Sequence, residues 1–276
     1  MSKVEDTVAR HYTHGTLSEI VRGGLEKLGA ETDTNPIDLL AAVDEFHMGG
    51  RPATKALAQA LQFEPGSTVL DIGCGLGGTA RFLATTYQCQ AVGIDLTPEY
   101  ISVGEELNED LGLTDQISLH VASALDLPLA DAQFDRACML HVGMNIQDKQ
   151  KLMQEAARVI RPGGYFGVYD VMRTGDAPII YPVAWAEDEG TSFVSSITDY
   201  RQTLEAAGFE IMDVIDKRDV AISFFEAIMA RLAQGGPPPL GLHIVMGNNA
   251  KIKVKNMFTN VQNGTVSPVQ IIAKRT

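Results

Sequence analysis

Val69-Leu70-Asp71-Ile72-Gly73-Cys74-Gly75-Leu76-Gly77-Gly78 decides the fold. A short apolar run ends in an acid, and glycines then carry the chain into a helical pattern. Asp95 closes the next apolar run, 22 residues after Gly73. Gly73, Gly75 and Gly78 satisfy G-x-G-x-x-G, the spacing of a phosphate-binding turn between strand and helix.

Outward from this turn, short apolar runs alternate with helical patterns. The runs are TVLDIG (68–73), AVGID (91–95), ISLHV (117–121), FDRACML (134–140) and YFGVYDV (165–171), with helical spacing at 98–111 and 147–160. Alternation of this kind builds βαβ units and an α/β, Rossmann-like, doubly wound sheet covered on both faces. Arg161-Pro162-Gly163-Gly164 stops a helix before the strand at 165–171. A helix at 199–207, the run FEIMDVIDK (209–217), a helix near 220–233 and the run VQIIAKR (269–275) complete the pattern.

Ahead of the sheet the chain reads as helical. Val8, Leu17, Ile20, Val21, Leu25 and Leu28 share one apolar spacing, a second helix starts at Asn35-Pro36, and a third covers 53–61. Residues 1–63 are expected to form a helical lid on a domain spanning 64–276. Insertions at 174–197 and 219–262 follow strand ends, where open α/β sheets take ligands.

Composition narrows the function. With 45% hydrophobic and 21% charged residues the chain can build a packed core rather than a disordered one. Its net charge of −13 opposes nucleic-acid backbones and anionic membranes. The last 50 residues carry six cations and no acid, a basic segment read mainly as a solvated face. Cys74, Cys89 and Cys138 form no CxxC pair, which fits a reducing compartment and argues against structural zinc. No apolar stretch spans a bilayer, and MSKVEDTVARHY lacks the apolar core of a secretory leader. A soluble, cytoplasmic protein is expected.

Asp71 bears on the choice of cofactor. Its carboxylate precedes the turn where a pyrophosphate would lie, so it repels phosphate and suits a cation. S-adenosylmethionine has no phosphate and carries an α-ammonium and a sulfonium. Asp95 can accept both of its ribose hydroxyls, and the glycines let backbone approach it. An acid at both places favours this cofactor over NAD.

With these residues in view, the chain resembles the class I S-adenosylmethionine-dependent methyltransferases. VLDIGCGLGG (69–78) looks like their first motif and GIDLTPEY (93–100) their second. ALDLPLADAQFD (124–135) and RVIRPGGYFGVYD (158–170) resemble the segments entering the fourth and fifth strands. A narrower similarity, to sarcosine/dimethylglycine N-methyltransferases, rests on HYTHG (11–15), DEFHMGGRPAT (44–54), HVGMNIQDK (141–149) and YPVAWA (181–186). The resemblance implies a seven-stranded sheet in the order 3-2-1-4-5-7-6 with the last strand antiparallel. It implies cofactor contacts by Gly73, Gly75, Asp95 and Leu96, with adenine near Ala124 and Leu125; Tyr12, Gly50, Cys74, Ser123 and Leu140 are the further candidates for binding the cofactor. Ser123 stands where many relatives have an acid, which weakens the expected contact with the adenine amino group.

Methyl transfer from a sulfonium is an in-line displacement with an activated leaving group, so it needs alignment rather than a metal. A base matters where the acceptor carries a proton. His141, after the fourth strand, is the candidate base; the alternative is a histidine bonded to backbone that orients its loop. His47 and Arg51 flank Gly49-Gly50 and are candidates for binding the acceptor, Arg51 through a carboxylate. Tyr181 and Trp185 are candidates for an aromatic wall. The expected activity is methyl transfer from S-adenosylmethionine, releasing S-adenosylhomocysteine, to a small amine or amino-acid derivative. The alternative is O- or C-methylation of an aromatic, heterocyclic or quinone-like acceptor. An NAD-dependent oxidoreductase and a non-catalytic cofactor-binding module are the remoter readings, and a homodimer is a possible assembly.

Overall fold

In a computed structural model, which describes residues 2–29, 34–247 and 249–276, the apolar runs pair into one seven-stranded sheet. Its strands are β1 (Thr68–Ile72), β2 (Gln90–Asp95), β3 (Ile117–Val121), β4 (Phe134–Leu140), β5 (Ile160–Arg173), β6 (Phe209–Asp216) and β7 (Val266–Arg275). The order is β3-β2-β1-β4-β5-β7-β6, and β7 runs antiparallel to both β5 and β6. Order and direction are those the resemblance implied.

The central strands read as unbroken apolar runs because both faces are covered. Leu70, Ile72, Met139 and Phe166 pack on one face against Leu152 and Ala156 of α7 (Lys149–Val159) and Leu204 of α8 (Ile197–Ala206). Val69, Cys138 and Leu119 pack on the other. They meet Leu57 and Leu61 of α4 (Gly50–Leu61) and Phe82 and Leu83 of α5 (Gly78–Tyr87).

Two further clusters stand over the carboxyl ends of the strands. Leu17 and Val21 of α2 (Leu17–Gly29) join Leu40 and Val43 of α3 (Pro36–Asp44), against Tyr100 and Leu107 of α6 (Pro98–Asp110). Trp185 joins Phe225 of α9 (Arg218–Gly235) and Met257 of α11 (Ala250–Gln262), against Met48 and Met144.

Asn35 caps α3 by accepting from the Ile37 N–H, with Pro36 at the first helical position, as the sequence signalled. Two expectations are corrected. The apolar spacing from Val8 to Leu28 belongs to two helices, α1 (Lys3–Tyr12) and α2, because Gly15 turns the chain between them at φ 83°. The insertion at 219–262 holds a helix not anticipated there, α11, and a single turn, α10 (His243–Met246).

Candidate functional site

A cavity of about 340 Å³ lies where β1, β2 and β4 end. Gly73 and Gly75 line it in left-handed conformations, at φ 72° and 53°. A Cβ at Gly73 would run into the Val142 side chain, so the turn can be this tight only with glycine. Cys74 lines the cavity between them with its thiol buried.

Two carboxylate oxygens here meet no hydrogen-bond donor: Asp71 Oδ2 and Asp44 Oδ1. Burial pushes the Asp71 carboxyl up to about 7, partly offset by the Cys138 thiol 3.6 Å from Oδ1 and reinforced by the charge of Asp95. Asp44 keeps its other oxygen on Arg81, at 2.8 Å; Arg81 is fully buried and also donates to Asn108 and to the Leu76 carbonyl. Unpartnered buried carboxylate is costly, and an ammonium group satisfies it. At the end of β2, Asp95 takes the Gly75 N–H on Oδ2 at 3.0 Å and the Thr97 N–H on Oδ1 at 2.8 Å. Burial raises its carboxyl and these bonds hold it back. Each oxygen retains a lone pair for a ribose hydroxyl. The donors and acceptors present therefore fit S-adenosylmethionine.

Leu96, Ser123, Ala124 and Leu125 line the same cavity toward β3, and Leu140 lines it from the end of β4. Ser123 is not an isolated hydroxyl. Its Oγ donates to Glu5 Oε1 of α1 at 2.5 Å and accepts from the Leu125 N–H at 3.0 Å. Glu5 itself lines the cavity.

His141 sits one residue beyond β4, at φ 53°, a left-handed conformation uncommon outside glycine. Its backbone N–H is held by the Tyr169 carbonyl at 2.7 Å. Both ring nitrogens are buried without a partner, so the side chain is not tied to backbone. Burial, with His47 close by, holds the imidazole well below its ordinary pKa, and it is neutral near pH 7. The two rings stack at 6.0 Å, inclined by 16°. His47 lines the cavity too, but its Nε2 is engaged by Thr54 Oγ at 3.1 Å and lies 3.2 Å from the Gly50 carbonyl. Burial brings it down to about 4.

Tyr12 and Trp185 also line the cavity. Tyr12 donates to Asn145 Oδ1 at 2.8 Å, and Trp185 donates its indole N–H to Ser192 at 2.9 Å. Gly50, Arg51 and Tyr181 are not among the lining residues. Arg51 pairs with Glu45 at 2.8 Å, donates to the Ile37 carbonyl at 3.1 Å and lies 4.7 Å over the Phe82 ring. Tyr181 packs against the cap cluster that includes Trp185.

The sequence reading missed Glu5, Asp44, Met144 and Asn145, and the apolar wall of Phe46, Met48, Phe224, Phe225, Met246 and Met257. Met144 and Asn145 lay inside the quoted run 141–149, and Asp44, Phe46 and Met48 inside the quoted run 44–54; the others carried no local signal. Among the described residues the lining holds no Lys or Arg. Also among the described residues, no group of three or more His, Cys, Asp or Glu could hold a metal ion. No described helix is long and apolar enough to cross a membrane.

Residues 70–168 match the methyltransferase domain family. Methyltransferase GfsG of Streptomyces halstedii is 30% identical over 64% of this chain and 64% of its own length. An O-methyltransferase of Pyrenophora dematioidea is 28% identical over 77% of this chain and 78% of its own. The sarcosine/dimethylglycine N-methyltransferase of Halorhodospira halochloris is 34% identical, over 54% of this chain and 53% of that protein. The solved geranyl diphosphate C-methyltransferase of Streptomyces coelicolor A3(2), in complex with S-adenosylhomocysteine, superposes with a TM-score of 0.73 at 16% identity. That match covers 100% of this chain and 98% of that one, and it speaks to the fold.

Proposed function

Because the chain belongs to the S-adenosylmethionine-dependent methyltransferases, we propose that it methylates a hydroxyl oxygen on an uncharged, largely apolar acceptor, with His141 as general base. One observation carries this reading. A neutral imidazole with two free nitrogens faces a cavity whose far wall is Met and Phe and whose described lining has no cation.

An acceptor carboxylate or phosphate would be buried there without a counter-charge, which is strongly unfavourable. Arg51, the candidate to hold the carboxylate of an amino-acid-derived acceptor, is committed to Glu45. A hydroxyl also suits a weakly basic imidazole better than an ammonium does. The hydroxyl keeps lone pairs while protonated, so it can attack and release its proton late. An ammonium has no lone pair until the proton has gone.

Bound S-adenosylmethionine supplies a sulfonium methyl that leaves with its electron pair on sulfur. Asp71 and Asp44 would hold its cationic amino-acid part and Asp95 its ribose, all three lining the cavity. Aligning donor and acceptor in this way is worth up to about 7–11 kcal/mol in well-oriented model reactions. Met48, Met144, Phe224 and Phe225 exclude water and present the acceptor toward the end of β4. His141 receives the hydroxyl proton as the new C–O bond forms.

His141→Ala tests the assignment. Turnover should fall about 10²-fold or more while affinity for S-adenosylhomocysteine stays within about twofold. An unchanged rate removes His141 from the chemistry.

A further inference from the structure

We infer that Glu5 of α1 supplies the carboxylate that reads the adenine amino group, so that the N-terminal helix is part of the cofactor site. The sheet order fixes where adenine lies. Ribose is held at Asp95 on the end of β2, and the amino-acid part faces the turn after β1. The far neighbour of β1 is β4, which carries the reacting end and His141. The base is left with the end of β3, over Ala122, Ser123 and Leu125, where Glu5 closes the cavity.

Adenine presents an amino donor on its Watson–Crick edge, and a site that reads it must offer an acceptor. Ser123 has spent its proton on Glu5 Oε1, and its oxygen already accepts from Leu125. Glu5 Oε2 accepts from the Ser2 N–H at 2.6 Å. A carboxylate has about four lone-pair positions, and these two bonds leave it the strongest acceptor with spare capacity at this end. Burial raises the Glu5 carboxyl, but the bonds from Ser123 and Ser2 outweigh it, so the group is ionised near pH 7.

The arrangement also explains Ser123. An acid at that position would face Glu5 with like charge, whereas a hydroxyl bridges to it. The same helix reaches the other side of the cavity: Tyr12 donates to Asn145, and His11 Nε2 lies 2.9 Å from the Ala184 carbonyl. A cofactor that engages Glu5 therefore fastens the helix that borders the acceptor.

The test reads affinity alone and is independent of which acceptor is methylated. S-adenosylhomocysteine and its 6-oxo analogue, which has a carbonyl in place of the amino donor, are titrated by calorimetry into the wild type, Glu5→Gln and Ser2→Ala. The wild type should prefer the amino form by about 10-fold or more, the scale of one charge-assisted hydrogen bond. Glu5→Gln should lose most of that preference. Ser2→Ala, which breaks the helix cap but leaves the carboxylate, should keep it. Equal preference in the wild type and Glu5→Gln, or none in the wild type, overturns the assignment. Hydrogen exchange on the wild type gives a second reading that needs no variant. Amides of residues 3–12 should gain protection with the amino form and much less with the 6-oxo form, and equal protection by both contradicts the role.

Discussion

Asp71 carries a conflict that a bound cation relieves. Its carboxyl is buried beside Asp95 and pushed up to about 7, whereas in the unfolded chain it ionises in the ordinary carboxylate range. Between those two values the folded protein holds the extra proton, so stability falls as pH rises from about 4 through about 7. Asp71→Asn should therefore raise the thermal midpoint of the ligand-free protein near pH 8 and flatten its decline between about pH 4 and 7. The same change should weaken S-adenosylhomocysteine by about 10-fold or more. Opposite effects on stability and binding mark a residue kept for its ligand. A ligand-free Asp71→Asn protein less stable than wild type near pH 8 would contradict this. The need for an acid here was legible because the glycine turn and Asp71 are adjacent in sequence. The missing donor for Oδ2 was not, since it depends on what packs around the strand end.

At the scale of elements, the sheet was readable because each strand is a contiguous run with its own stop signal. β3 and β4 coincide with the runs at 117–121 and 134–140. The break between α1 and α2 was not, because helical periodicity continues across a turn as short as residues 13–16 and only the conformation of Gly15 reveals it. The contact joining the lid to the glycine turn was equally hidden. Asp44 ends α3, Arg81 sits in α5, and the two meet only once α3 lies over the turn, where the Asp44 carboxyl fills the space a side chain at Gly78 would need. Arg81 is fully buried and holds three acceptors from separate segments. Arg81→Met leaves the Asp44 charge buried and unpaired, and should cost about 3–5 kcal/mol of stability. Denaturant unfolding with and without S-adenosylhomocysteine checks this; a loss below about 1 kcal/mol would mean that the pair does not fasten α3.

Across the whole molecule, the two halves of the cavity differ in how they are assembled. The cofactor half comes mostly from three strand ends and their following turns, each a short motif, and so most of it could be read from the sequence. The acceptor half gathers Phe46, Met144, Trp185, Phe225 and Met257 from distant segments, and only folding brings them together. Apart from Trp185, each alone reads as an ordinary core residue. Charge follows the same division: acids surround the cofactor, and the acceptor wall is apolar. Hence the expectation of an acceptor carboxylate held by Arg51 had a local basis in the sequence but finds no counter-charge in the cavity.

The nature of the acceptor is best resolved by competition among matched compounds. The wild-type protein, saturated with S-adenosylmethionine, would be given an apolar phenol, the corresponding aryl amine and sarcosine together, and the methylated products separated by mass spectrometry. Methyl is expected on the phenol oxygen, with sarcosine untouched because nothing among the described lining residues neutralises its carboxylate. Methylated sarcosine, or methyl on nitrogen with the phenol left unchanged, would contradict it.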